Sequence, residues 1–235
     1  MGVMRRRALL AGSVTVAASL VLMGCSGGDA PEAKADPKAQ LAAAKKVFDE
    51  AKFVGLTLSS KNVPKTENGV TGAIGTGAIS ATEPKFKGNV TATIKGVSGA
   101  AEVITIGDAA YMKFFTPTYN PANLADLGAP NPSDFFDPAK GISQLLVETG
   151  NPVAGEKVRD GATVLEQVSG TLPGSQIKAL FNLGDGQGEF KVTYGIGEGD
   201  KLQLATMTGP FFAGASSTYT LRLKNYGTPV EITRP

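Results

Sequence analysis

The chain has 235 residues, with 23 Lys and Arg against 21 Asp and Glu, no His, no Trp and one Cys. Without His, neither a Ser-His-Asp relay nor a Cys-His pair can form, and an ordinary zinc site lacks its usual donors. The near-neutral charge provides no basic face, so no nucleic-acid partner is expected.

In chain order, Met1 to Arg7 carries three Arg and no acid, and Ala8 to Met23 is a mostly apolar run of 16 residues. That run suits a signal-peptide core and is short for a spanning helix. Cys25 follows at once. A single cysteine cannot close an intramolecular disulfide, so it reads as a buried thiol, a reactive group or ligand, or an attachment point. The flanks favour attachment, because Leu22-Met23-Gly24-Cys25 resembles a bacterial lipobox. Met23 is bulkier than the small residue usual at its place. The expectation is a signal peptide over 1–24, an acylated (palmitate-type) Cys25 anchored in the cell membrane, and a flexible tether over 25–36. Cleavage before Cys25 leaves 20 bases against 21 acids. No later apolar run is long enough to span a membrane.

Asp36-Pro37 reads as a helix cap followed by a first-turn proline. Leu41, Ala44, Val47, Phe48 and Ala51 follow at helical spacing, which predicts a helix to about Phe53. Beyond it the period changes to two. In "NVTATIK" (Asn89 to Lys95), "FKVTYGI" (Phe190 to Ile196) and "YTLRLK" (Tyr219 to Lys224), apolar and polar residues alternate, the pattern of antiparallel strands with one wet face. Leu56–Ser60, Val70–Ser80, Val103–Ile106, Lys157–Arg159, Val164–Ser169 and Leu202–Met207 are further strand candidates. Turns at Glu67-Asn68-Gly69, Arg159-Asp160-Gly161 and Glu198-Gly199-Asp200 separate several of them.

Two helical patches interrupt the strands. One opens at Asp137-Pro138 with Ile142, Leu145, Leu146 and Thr149 on one face. The other opens at Pro173-Gly174-Ser175 with Ile177, Leu180 and Phe181 in register. Thr116 to Ser133, rich in Pro, Asn and Ala, reads as a lid or border loop. The fold class expected is α+β: one strongly bent antiparallel sheet, a half-barrel, with short helices on its concave face. A wide sheet poorly plugged by short helices can leave an apolar hollow.

Motifs with chemistry are weak. Ser175-Gln176-Ile177-Lys178 matches S-x-x-K, but the partner motifs of a serine-lysine hydrolase are missing. Asp134 and Asp137 could serve as an acid and base, although capping beside Pro132 and Pro138 explains them more simply. The glycines of "GAIGTG" (Gly72 to Gly77) have the wrong spacing for a dinucleotide loop. No catalytic residue and no cofactor is expected.

Gly107 to Lys113, Phe136 to Leu146 and Asn225 to Pro235, together with the lipobox, resemble the LppX/LprA/LprF/LprG lipoproteins of mycobacteria and related mycolate-bearing bacteria. The likeness extends from about Ala39 to Pro235. It implies a closing strand at Asn225 to Pro235 and a cavity between sheet and helices within a domain over 37–235. It also implies binding of multi-acylated lipids or glycolipids and their carriage across the cell envelope. A major-facilitator exporter is the partner implied for some members, and a signalling kinase for others, where the protein would act as a sensor or adaptor. A monomer facing the extracytoplasmic space is expected. Periodicity supplies the cavity candidates Val90, Ile94, Ile104, Ile106, Tyr111, Phe115, Ile142, Leu145, Leu146, Ile177, Leu180 and Phe181.

Overall fold

The computed structural model describes residues 36–94 and 96–235. The signal-peptide, Cys25 and tether expectations lie outside the described residues. Helix α1 (Pro37–Glu50) begins as its first residues dictate: the Asp36 side chain accepts from the Lys38 N–H and Pro37 takes the first turn. Leu41, Ala44 and Phe48 form its buried stripe. The helix stops three residues short of the expected Phe53, because Lys52 adopts a positive φ of 62° and Phe53 already opens a strand.

Eleven strands follow among the described residues: β1 (Phe53–Lys61), β2 (Gly69–Ala78), β3 (Lys85–Ile94), β4 (Val97–Ile106), β5 (Ala109–Lys113), β6 (Asn120–Ala122), β7 (Gly150–Asp160), β8 (Thr163–Pro173), β9 (Glu189–Gly197), β10 (Lys201–Phe212) and β11 (Ala215–Lys224). They make one open sheet in the order β6-β5-β4-β3-β2-β1-β11-β10-β9-β8-β7, and every pairing is antiparallel. The single long-range closure is β1 on β11; every other neighbour is joined in sequence. Register shifts at Val70/Gly72, Leu202/Leu204 and Gly209/Phe212 bend and twist the strands. The expected bent, open antiparallel sheet with a few helices is therefore the architecture found.

Pairing register assigns the faces. Leu56 and Leu58 of β1 lie opposite Leu223 and Leu221 of β11, Ala205 and Met207 of β10 continue the row, and Tyr194 and Val192 of β9 follow. Helices α1, α2 (Ile142–Val147) and α3 (Gly174–Phe181) cover this half of the concave face. Tyr194 is buried there, and its hydroxyl bonds Thr149 Oγ1 at 2.9 Å and the Leu145 carbonyl at 3.1 Å. Burial pushes the Tyr194 and Tyr219 phenols far above the usual range, so both stay neutral. Lys45 ties α1 to α2, donating to Asp49 Oδ2 (2.9 Å) and the Pro138 carbonyl (2.6 Å), while Ser143 donates to Asp49 Oδ1 (2.6 Å).

Two expectations change. The helix anticipated from Asp137-Pro138 begins only at Ile142. Asp137 caps a turn by accepting from the Ala139 N–H at 2.8 Å, and a 3-10 turn (Pro132–Phe136) precedes it. Nor does Asn225 to Pro235 form a closing strand. The chain leaves the sheet at Lys224, where Asn225 and Gly227 take positive φ and the Gly227 N–H bonds the Phe53 carbonyl. The tail then packs Val230 and Ile232 on the outer, convex side of β4 and β5.

Candidate functional site

Among the described residues, no helix lies against the upper end of the other half of the concave face, β2 to β5. Val90 pairs with Ala73 and Ala101, and Ala92 with Gly99; Val103 lies between Gly88 and Met112. Alternation points this set to the concave side. Instead of a helix, the loop after β6 arches over it, and the space between is a cavity of about 310 Å³. The strands contribute Val70, Val90, Ala92, Ile94, Val97, Val103 and Met112, the segment after β5 adds Phe114, and the loop closes the roof with Leu124, Leu127, Ala129, Pro130 and Pro132.

That roof is pinned at several points. Leu127 and Ala129 both donate to the Leu124 carbonyl, and Asn123 caps the Ala125 N–H. Asn182, in a left-handed cap at the end of α3, donates to the Gly128 carbonyl at 3.1 Å. Asn131 and Ser133 both donate to the Gly107 carbonyl, at 2.8 and 2.9 Å. Beyond the roof, Phe136 lies over β2 and β3, stacked on Phe86 at 6.2 Å and 18°. A Cβ on Gly77 would enter the Phe136 ring, so glycine is what admits the ring to the sheet.

A smaller crevice of about 30 Å³ lies deeper, between Leu56, Leu58, Phe86, Phe135, Phe181 and Leu183. It shares Val70, Val90, Pro130 and Pro132 with the main cavity, so those four residues are the partition between them. Among the described residues, no ionisable side chain lines either space. A depression of about 550 Å³ at Gly184–Gly188 and Pro210–Gly214 is larger, but turn residues wall it and it offers no apolar enclosure. The lining chemistry, not the volume, makes the β2–β5 cavity the candidate site: it can hold hydrocarbon and exclude water, and it presents no group for acid-base or nucleophilic work.

The sequence candidates divide accordingly. Val90 and Ile94 line the main cavity, and Phe181 lines the inner crevice. Ile142, Leu145, Leu146, Ile177 and Leu180 are buried in the main core under the helices, away from the cavity walls. Phe115 is 95% exposed and outside the lining, next to Phe114, which is part of it. Ile104, Ile106 and Tyr111 are corrected outright: Ile104 pairs with Lys87 and Tyr111, so this set faces the convex side. There they form a separate cluster with Ile232, Val230 and Tyr119. Beside that cluster, Glu102 accepts from Lys113 (2.8 Å) and Tyr119 (2.9 Å), which holds its carboxyl below the usual range. The roof residues Leu124, Leu127 and Ala129 were not anticipated individually; only the loop's Pro-rich composition marked the segment.

The weaker motifs find structural roles. Ser175 and Lys178 are both exposed, and Lys178 Nζ donates to the Asp185 carbonyl at 3.4 Å. Lys140 pairs with Asp134 at 3.0 Å and lies 4.0 Å from Asp137, an ion cluster around a turn.

An open, bent sheet with a roofed apolar hollow on its concave face is a half-barrel. The profile of the LppX_LprAFG lipoprotein family matches residues 36–232, and the chain belongs to that family. Among solved structures, LprF from Mycobacterium bovis superposes with a TM-score of 0.72 at 18% identity, covering 85% of this chain and 96% of that one. LppX from Mycobacterium tuberculosis superposes with a TM-score of 0.60 at 17% identity, covering 84% and 98%. At these identities the likeness establishes the shared fold. No match was found among curated proteins.

Proposed function

We propose that this protein is a membrane-tethered carrier that holds the acyl chains of a multi-acylated lipid or glycolipid in the β2–β5 cavity and moves it through the cell envelope without bond chemistry. The observation that carries this reading is the lining itself, which among the described residues is apolar and has no ionisable side chain. Each acyl CH₂ bared to water costs ~0.8 kcal/mol, so a 16-carbon chain crossing an aqueous gap unaided faces roughly 12 kcal/mol. A cavity that imitates the bilayer interior makes that transfer nearly neutral, and no cofactor is required. In the same reading Cys25 carries the acyl anchor, and residues 25–36 form a leash that keeps a monomeric domain near the extracytoplasmic face of the membrane. Delivery to a major-facilitator exporter is the partnership implied by the family.

The test is native mass spectrometry of the full chain, purified from a host with multi-acylated envelope lipids. Stoichiometric acyl lipid released on denaturation is the expected result. Protein that is recovered empty and stays empty after incubation with lipid vesicles would sink the reading.

A further inference from the structure

The hollow on the concave face is exposed at one end and buried inside. Its lining residues Val97 and Phe114, where the β3–β4 turn and the end of β5 meet, are 72% and 42% exposed, whereas Val70 and Val103 are 7% and 3% exposed. An acyl chain therefore enters past Val97 and Phe114 with its methyl end leading, and a polar headgroup stays at that mouth, because burying it without partners is costly. Inside, Val70 and Val90 on the sheet meet Pro130 and Pro132 of the roof, the four residues that part the cavity from the inner crevice. Beyond them stand Leu56, Phe86 and Phe181, all deeply buried. The partition is pinned on both sides. The Tyr219 hydroxyl donates to the Val70 carbonyl at 2.8 Å, and Asn131, between the two prolines, donates to the Gly107 carbonyl at 2.8 Å.

Volume limits what this arrangement encloses. A dry apolar cavity of ~150 Å³ takes one benzene molecule. On that scale the cavity of about 310 Å³ takes about twelve carbons, which is one acyl chain of medium length. The crevice of about 30 Å³ has room for about one carbon more, and the partition withholds it.

We infer that Val70, Val90, Pro130 and Pro132 are an end stop that sets the length of acyl chain the protein selects: the cavity encloses one chain of about twelve carbons, methyl end against the partition, and methylenes beyond that number add nothing to affinity. This rests on the cavity being the lipid site and specifies the chain held there. The test titrates the full chain with saturated monoacyl phosphocholines of about 8 to about 18 carbons, read by displacement of a fluorescent fatty acid. Affinity should rise about fourfold per methylene and level off near twelve carbons. Val90→Ala removes both methyl groups from the partition and joins the crevice to the cavity, so the break should move about three carbons longer. Val90→Leu, one carbon larger, should move it about one carbon shorter, which keeps the test open if the smaller residue unfolds the chain. Ile94→Ala truncates a lining residue on the same strand and face, but Ile94 pairs with Val97 near the mouth and does not border the crevice. It should weaken binding of every length and leave the break where it is. A break that shifts equally in Val90→Ala and Ile94→Ala would overturn the end stop, since total volume and not the partition would then set the length. A break that stays put in both Val90 variants would also overturn it. The two readings fail separately: a native chain that binds none of these lipids sinks the carrier reading, and one whose affinity climbs without a break through the longest chain keeps the carrier and sinks the end stop alone.

Discussion

Replacing Val90 with Trp puts a bulky side chain into the hollow from its floor. Val90 is half-buried on β3 and borders both the main cavity of about 310 Å³ and the inner crevice of about 30 Å³. Trp adds about seven heavy atoms, and each displaced ligand methylene forfeits ~0.8 kcal/mol, so expelling about as many methylenes into water costs roughly 5–6 kcal/mol. That corresponds to a loss on the order of 10⁴-fold in affinity for a lipid that cannot retreat elsewhere. Overpacking a filled core costs about 1–3 kcal/mol, and a site that begins partly empty belongs at the low end. A melting temperature lowered by no more than about 4 °C is therefore expected. The assay pairs thermal unfolding with acyl-lipid content by native mass spectrometry. Ile74→Trp serves as the control, since Ile74 pairs with Asn89 and is 54% exposed on the opposite face. A Val90→Trp protein that folds normally and carries wild-type amounts of lipid would refute the assignment of the cavity as the acyl site.

Other sites test the scaffold. Ile232→Ala removes a residue only 6% exposed that holds the tail on Ile104 and Ile106. A loss of about 2 kcal/mol is expected in denaturant titration, the low end for such truncations, with faster amide exchange in β4 and β5; unchanged exchange there would show that the tail does not support those strands. Gly77→Ala drives a Cβ into the Phe136 ring and should cost about 1–3 kcal/mol by calorimetry. The Glu102 carboxyl is held low first by Lys113 and then by Tyr119, so its contribution to the fold is present above the ordinary carboxylate range and lost as the pH falls through its depressed value. Stability measured against pH should therefore fall less on the acid side for Glu102→Gln than for the native chain, and identical acid limbs would contradict the pairing.

Much of the fold is legible along the chain because its signals are local. Alternation in "NVTATIK", "FKVTYGI" and "YTLRLK" marks strands β3, β9 and β11, and Asp36-Pro37 marks the start of α1. Alternation also groups Val90 with Ile94. It cannot say which apolar face stays hollow. In Val103 to Ile106 both faces carry apolar residues, so the strand reads the same whichever way it is turned. Only pairing with Gly88 and Met112 directs Val103 inward, and only the returning tail accounts for the burial of Ile104 and Ile106 on the far side. The helical stripes of Ile142, Leu145 and Leu146 announce burial, yet a stripe looks the same against a filled core as against a cavity.

The sequence by itself determined the strand-rich, His-free character of the chain and the period of its strands, because these depend on composition and on neighbours a few residues apart. Tertiary structure alone decided where the void lies. Among the described residues it is set by a loop, where α1, α2 and α3 cover the other half, arching over β2–β5 as a roof held in place by Asn131 and Ser133 on Gly107 and by Asn182 on Gly128. Those contacts join residues far apart in the chain, and no local pattern encodes the space they leave between them.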